Sequence, residues 1–369
     1  MKFSDRETIY KGEIKLTPKE QKILDEYKQN RSNFVRLSSI VNGLIEENTS
    51  GFTNTIMQLT SRIKTEDSLY GKLQRKPDRY SSVFDLSDIV GFRIICYFSD
   101  QVDSIAEMLK QIFVIDRENS IDKRKVLAPT TFGYLSLHYI CRLPDKPQYT
   151  AELKKIRFEI QIRSVLQHVW AEIEHDLGYK NEFGIPRDAK REFARVAGLL
   201  ETADDAFLRI RNRVYQYEED AKSKIMLDNA DDLSLDHHTI GEFMKNNVLI
   251  KDFTDSIAAI SGARLIPANP ESYLAQLAFF KVQTIGDLKE MINREREHAY
   301  FLAEKRLKDS EIDELVSTVG LYYLVRAKLV YGKMDELALI DFFRITYKDK
   351  ISIKKQVERI VEQRRELLK

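Results

Sequence analysis

The residues best placed to do chemistry lie in FEIQIRSVLQHVWAEIEHDLGYK, positions 158–180. Phe158, Ile160 and Ile162 alternate with Glu159, Gln161 and Arg163, so a strand here carries a carboxylate, an amide and a guanidinium on one face. Ser164 suits a helix N-cap, and from it the period becomes helical. Val165, Val169 and Ile173 form one stripe, while His168, Glu172 and His175 line another side. A polar strand face running into a polar helix face can wall a ligand cleft. A solvated edge strand would read the same way. The second stripe also has a spacing open to zinc.

Three further stretches add compatible groups. Asp88 stands at the mouth of the strand DLSDIVGFRIICYF (85–98), where Gly91 allows close backbone approach and Arg93 sits among apolar neighbours. An arginine inside a strand needs an anionic partner, from the protein or from a ligand. Just upstream, Arg62, Lys64, Lys72, Arg75, Lys76 and Arg79 make a basic cluster. In FGYLSLHYICRL (132–143), Tyr134, Ser136 and His138 alternate onto one strand face, which suits stacking on a base and bonding to its sugar or phosphates. Two acids, Asp88 and Glu159, with several cations around one cleft suit a triphosphate with magnesium (Mg²⁺). Hard cations take carboxylate oxygens, and phosphates take the forks of Arg and Lys.

The elements that must position these groups follow from the pattern. A helical period runs over 18–48, a second helix is expected over 52–63, and an amphipathic helix over 101–113. Positions 113–116 read as a short strand followed by a polar, basic loop. A long helix begins near Pro186, with Phe193, Val196, Leu200, Phe207, Ile210 and Val214 as its buried stripe. The acidic stretch 228–238 marks a linker between a domain over 1–227 and a helical domain over 239–369. Within it Asp236, His237 and His238 read as a helix start, and Thr284 with Asp287 as a variant capping box. A net charge of +1 over 369 residues neither demands nor excludes a polyanionic partner. No apolar run reaches membrane-spanning length, no signal-peptide pattern opens the chain, and Cys96 and Cys141 lack metal spacing. The expected compartment is therefore a reducing cytoplasm, with no membrane.

The ordered set Arg62-x-Lys64…Ser68…Lys72, Asp88-Ile-Val-Gly-Phe-Arg93, Gly133-Tyr134-x-Ser136-Leu137-His138 and Glu159-Ile-Gln161-Ile-Arg163 resembles the RelA/SpoT alarmone synthetases. The segment Trp170–Lys180 is most similar to the small, single-activity members, and the resemblance spans roughly residues 35–220. It implies an α+β fold, a nucleotidyltransferase-like mixed sheet flanked by helices, followed here by an all-α C-terminal domain. It implies transfer of the β,γ-pyrophosphate of ATP to the 3′-hydroxyl of GDP or GTP, giving (p)ppGpp and AMP. Arg62, Lys64, Lys72 and Arg93 would bind ATP, and Asp88 and Glu159 would hold Mg²⁺, with Glu159 facing the attacking hydroxyl. Tyr134 would stack on guanine, and His138, Gln161, Arg163 and His168 would line the acceptor. Small members often form homo-oligomers. The family also contains toxic synthetases that pyrophosphorylate the 3′ CCA end of tRNA. Leu135, where a polar or basic residue is usual, leaves that alternative acceptor open. The hydrolase arm of the long members is not expected, since no His precedes His138.

Overall fold

Thr17 caps the first helix through a reciprocal pair, accepting from the Glu20 amide at 3.2 Å while the Glu20 carboxylate accepts from the Thr17 amide at 2.8 Å. Pro18 takes the first helical position, where a missing N–H costs nothing. The computed structural model describes residues 16–51, 55–76, 78–126, 128, 133, 136–179, 186–347 and 349–367. They fall into two compact units that divide between Arg211 and Asn212.

In the first unit, α1 (Pro18–Gln29) and α2 (Arg31–Thr49) share the helical period of 18–48 and break at Asn30. The helix expected over 52–63 is instead a strand, β1 (Ile56–Ile63). A bulge between Ile56 and Gln58 explains the misreading. It inserts one residue, so Ile56, Leu59 and Ile63 fall at spacings that mimic a helical face. Then come α3 (Glu66–Arg75), β2 (Val90–Cys96) and α4 (Gln101–Ile112). β3 (Val114–Asp122) is longer than expected, absorbing the start of the anticipated loop, and a short α5 (Lys123–Val126) follows. After β4 (Leu137–Arg142) and α6 (Ala151–Lys155), β5 (Phe158–Ser164) leads directly into α7 (Val165–Tyr179).

The strands form one mixed sheet in the order β1-β2-β5-β4-β3, antiparallel except for the central β2–β5 pair. Phe158, fully buried, meets Phe92 and Phe113 edge to face, with centroids at 5.6 and 5.3 Å. Phe34, Leu37, Val41 and Ile45 of α2, and Val102, Ile105 and Leu109 of α4, bury helical stripes in the same core. This is the expected mixed sheet flanked by helices.

α8 (Arg187–Met226) is the expected long helix, but only Phe193 and Leu200 of its expected stripe pack against the buried cluster. Ala197 and Asp204 are buried, whereas Val196, Phe207, Ile210 and Val214 are exposed. The α7 stripe is displaced in the same way. Trp170 and Ala171 are buried and Val169 and Ile173 exposed, because the indole sets the phase of the helix. Trp170 packs edge to face on Phe193 and donates its N–H to the Phe193 carbonyl at 3.1 Å.

The second unit contains α9 (His237–Asn246), α10 (Val248–Ser261), β6 (Arg264–Ile266), α11 (Leu274–Phe279) and α12 (Ile285–Leu307). β7 (Glu314–Val316), α13 (Val319–Tyr331), α14 (Glu336–Thr346) and α15 (Lys350–Leu367) complete it. The unit is helical as expected, with a small parallel β6–β7 pair added. Asp236 caps α9, and Thr284 with Asp287 caps α12, both as read from the sequence. The stretch 228–238 is not a free linker. Ala230 is buried, and backbone bonds join Leu233 to Ile285 and Leu235 to Gln283. Among the described residues, no helix is long and apolar enough to cross a membrane.

Candidate active site

Sheet register gathers the site. Thr60 of β1, Arg93 of β2, Gln161 of β5 and His138 of β4 stand opposite one another across four adjacent strands. The next row brings Arg62, Gly91, Glu159 and Ile140 into line. Gly91 leaves that row open. The Arg62 side chain lies across it, with Cγ 3.8 Å from where a glycine-replacing Cβ would stand. The cleft lined by Arg62, Arg93, Glu159, Gln161 and Glu172 has a volume of about 270 Å³.

Asp88 sits between two ammonium groups, Lys72 Nζ at 2.7 Å and Lys64 Nζ at 3.1 Å. Local sequence explains both. The Lys64 amide donates to the Ile89 carbonyl at 2.8 Å, extending the β1–β2 ladder to the foot of Asp88. Thr65 caps α3, whose buried Leu69 and Leu73 turn Lys72 toward the acid. The Tyr27 hydroxyl donates to the Lys64 carbonyl at 2.6 Å and braces that corner. Burial pushes the Asp88 carboxyl up, but the bonds and charges of Lys72 and Lys64 outweigh it and hold it below the ordinary carboxylate range. Two cations sharing one carboxylate leave a surplus positive charge.

Glu159, Gln161 and Arg163 share a face, as the alternation required, and they are wired together. The Arg163 guanidinium donates to Gln161 Oε1, and Gln161 Nε2 donates to Glu159 Oε2 at 3.2 Å. His138 Nδ1 lies 2.9 Å from Glu159 Oε1. Burial raises the Glu159 carboxyl, yet the His138 and Gln161 bonds pull it below its usual value, with the negative charge of Asp88 opposing them. An ionised carboxylate only accepts, so Nδ1 carries the hydrogen of that bond.

The anionic partner that Arg93 required is Glu172, at 2.9 Å, a residue the sequence placed on the His168 face without a task. His168 Nδ1 is 3.8 Å from the same carboxylate. Burial, together with the charges of Arg163 and Arg93, lowers the His168 pKa, so its ring is neutral near pH 7. Ser164 is the cap expected: its hydroxyl accepts from the Gln167 amide at 3.2 Å, and its own amide donates to Gln167 Oε1 at 3.0 Å. That hydroxyl also donates to the buried Asp204 at 2.6 Å, a contact across 40 residues with no sequence signal. Tyr134 lies outside the described residues.

The donor set fits Mg²⁺ and not zinc. Asp88 and Glu159 are both hard-oxygen groups with lowered pKa values, and the charge of Asp88 reaches Glu159, where it opposes that lowering. Among the described residues no cluster of three or more His, Cys, Asp or Glu could hold a metal, and this applies to the His168, Glu172 and His175 face as it does to Asp88, Glu159 and His138.

Residues 61–183 match the family model described as the region found in RelA/SpoT proteins. The chain is 32% identical over 161 residues to GTP pyrophosphokinase YjbM of Bacillus subtilis, covering 43% of this chain and 73% of that protein. It is 31% identical over 166 residues to GTP pyrophosphokinase YwaC of the same organism, covering 44% and 76%. The crystal structure of small alarmone synthetase 1 from Bacillus subtilis aligns over 52% of this chain and 99% of that one, at 25% identity and a TM-score of 0.45. With a 32% identical relative covered over nearly three quarters of its length, the chain belongs to the RelA/SpoT family.

Proposed function

We propose that the first unit transfers the β,γ-pyrophosphate of ATP to the 3′-hydroxyl of GDP or GTP. The observation that carries this reading is Glu159 lining one cleft with Arg62 and Arg93, close enough to Asp88, itself held by Lys64 and Lys72, for the Asp88 charge to act on it. The family's named pyrophosphokinases support the same class of reaction.

The hydroxyl oxygen bonds to the β-phosphorus, the bond from that phosphorus to the α–β bridging oxygen breaks, and AMP leaves with the bridging oxygen. Alignment and charge neutralisation decide the rate more than covalent help does. Bound between Asp88 and Glu159, Mg²⁺ would supply charge neutralisation at the phosphoryl oxygens. Lys64 and Lys72, held in reserve on Asp88, exchange that carboxylate for phosphates when ATP arrives. Arg62 has no acid within ion-pair distance among the described residues, so its charge is available to the triphosphate from the start. Arg93, steadied by Glu172, flanks the adenine or its phosphates.

Glu159 is a weak base at its lowered pKa, so it acts mainly by accepting a hydrogen bond from the 3′-hydroxyl and orienting it. His138 and Gln161 fix its two oxygens. Neutral His168 is assigned the acceptor's base edge as a hydrogen-bonding ring, while Arg163, buried and donating to Gln161, acts on the acceptor through that amide. Tyr134 is assigned the guanine face.

Full-length protein with γ-labelled ATP and Mg²⁺, offered GDP, GTP or deacylated tRNA in parallel, tests the reading. Label on the guanosine nucleotides supports it. Label on tRNA alone replaces it with the CCA-modifying alternative, and label on neither refutes both. Tyr134→Ala should raise the KM for the acceptor far more than the KM for ATP; equal effects would remove that ring from the acceptor site.

A further inference from the structure

A second, larger cleft lies away from the sheet. It lies within the second unit, has a volume of about 980 Å³, and is lined from α12, α13, α14 and α15. That volume is at the top of the range for small-molecule sites. Three guanidiniums open into it: Arg306 from α12, Arg326 from α13 and Arg359 from α15.

Their partners are unusual. The Arg326 side chain donates through Nε at 3.1 Å and Nη2 at 2.7 Å to Gln363 Oε1, a neutral acceptor that fixes the guanidinium plane and leaves its charge whole. Among the described residues, neither Arg306 nor Arg359 has an acid within ion-pair distance. Arg306 and Arg326 line the same cleft. Arg359 lies one helical turn before Gln363, on the side of α15 that meets Arg326.

Of the acids on the same wall, Glu366 is paired with Lys305 at 3.3 Å, and Glu271 lies 3.2 Å from the His237 ring. Glu271, Glu362 and Glu366 all line the cleft, so three guanidiniums share it with three carboxylates, none of them within ion-pair distance of an arginine among the described residues. Like charges gathered in a concavity repel, and a multiply charged anion relieves that repulsion while accepting their forks. The apolar side of the cleft is aromatic. Tyr322 exposes 41% of its surface, braced edge to face by Tyr323 at 5.0 Å. A held ring with a free face beside guanidiniums suits a planar group joined to phosphates.

We propose that this cleft binds a phosphorylated aromatic small molecule of nucleotide size. Arg306, Arg326 and Arg359 hold its phosphates, and Tyr322 supports its ring. The lining of this cleft shows no counterpart of Asp88 and Glu159 beside a sheet, and the task proposed for it is binding. The assignment is independent of the reaction assigned to the sheet.

Calorimetric titration of the full-length protein with GTP, in the absence of ATP so that no transfer occurs, tests it. Two GTP sites per chain are expected. Arg359→Glu, at an exposed position, and Arg326→Gln should each weaken one of them at least about tenfold and leave the other unchanged. A single site in the parent chain that neither substitution affects overturns the proposal, as does a second site untouched by both. If the sheet cleft itself fails to take GTP, one Arg359-sensitive site remains, so the two readings fail separately. Inorganic triphosphate, titrated in parallel, reads the aromatic half. Tyr322→Ala should reduce affinity for GTP more than for triphosphate, and equal losses would leave a bare anion site and refute the class of ligand proposed.

Discussion

The two clefts manage charge in opposite ways. On the sheet, Lys64 and Lys72 rest on Asp88, Arg93 rests on Glu172, and His138 rests on Glu159. In the second unit, Arg326 rests on a neutral glutamine, and among the described residues Arg306 and Arg359 have no acid within ion-pair distance, although Glu271, Glu362 and Glu366 line the same cavity. A site that must assemble a metal, a donor and an acceptor needs both signs of charge at rest, since unpaired carboxylates near one another would repel. A site that only captures an anion needs its cations unspent. In the proposed reacting cleft most cations are paired, Arg62 being the exception, whereas in the proposed binding cleft the guanidiniums lack ion-pair partners among the described residues.

The sharpest way to break that contrast is to remove a paired acid. Asp88→Ala or Glu159→Ala should lower transfer by at least about a hundredfold, the scale on which a preorganised electrostatic group acts, while thermal unfolding stays cooperative. Turnover retained in either variant, assayed with γ-labelled ATP, would detach the carboxylates from the chemistry. Lys72→Met comes next, and it tests the parking role. Asp88 would keep one ammonium, and the KM for ATP should rise about tenfold or more with a smaller change in kcat. A fall in kcat alone would mean that Lys72 serves the transition state instead.

Acid titration sharpens the contrast further. The folded pKa values of Asp88 and Glu159 lie below their unfolded ones. Their pairing therefore contributes stability that is complete above the unfolded carboxylate value and is lost as pH falls through the folded values. Unfolding of the parent chain should become easier across that acid window, and the Asp88→Ala variant should show less of this dependence. His168, lowered below the usual histidine value, is neutral on both sides of pH 7 and should add no step to the transfer rate between pH 7 and 8.

Much of the reacting cleft was legible because β-structure carries its pattern openly. Alternation over Phe158–Ser164 put Glu159, Gln161 and Arg163 on one face, and they are found hydrogen-bonded to one another. An arginine among apolar strand residues announced a missing anion, and Glu172 supplies it from one helix away. Legibility failed where local pattern met tertiary choice. The bulge in β1 disguised a strand as a helix. Apolar spacing on α7 and α8 marked faces without saying what would cover them, and Trp170 rotated the buried side away from Val169 and Ile173. The arginine cleft was out of reach for another reason. Its members come from separate helices, and the lack of an acid beside each is a fact of packing that no spacing encodes.

Asp204 fits neither pattern and gives the smallest expected effect. It is a buried acid with no cation, held by the Ser164 hydroxyl, and burial together with the charges of Asp205 and Glu201 raises its pKa against the opposing Ser164 bond. A carboxyl raised by folding contributes stability that is complete below its unfolded value and is lost as pH rises through the folded one. Asp204→Asn keeps an oxygen for the Ser164 hydroxyl and removes the charge. The variant should match the parent chain in Tm near pH 3 and exceed it near pH 8, each kcal/mol of relief raising the Tm of the first unit by about 2–4 °C. Ser164→Ala should lose the same contact and the α7 cap together, costing about 1 kcal/mol at either pH. If Asp204→Asn instead lowers the Tm at pH 8, the ionised acid is needed there. Its partner would then be the cationic row of the sheet cleft, one residue away at Arg163, and the rule of paired charges would extend to α8.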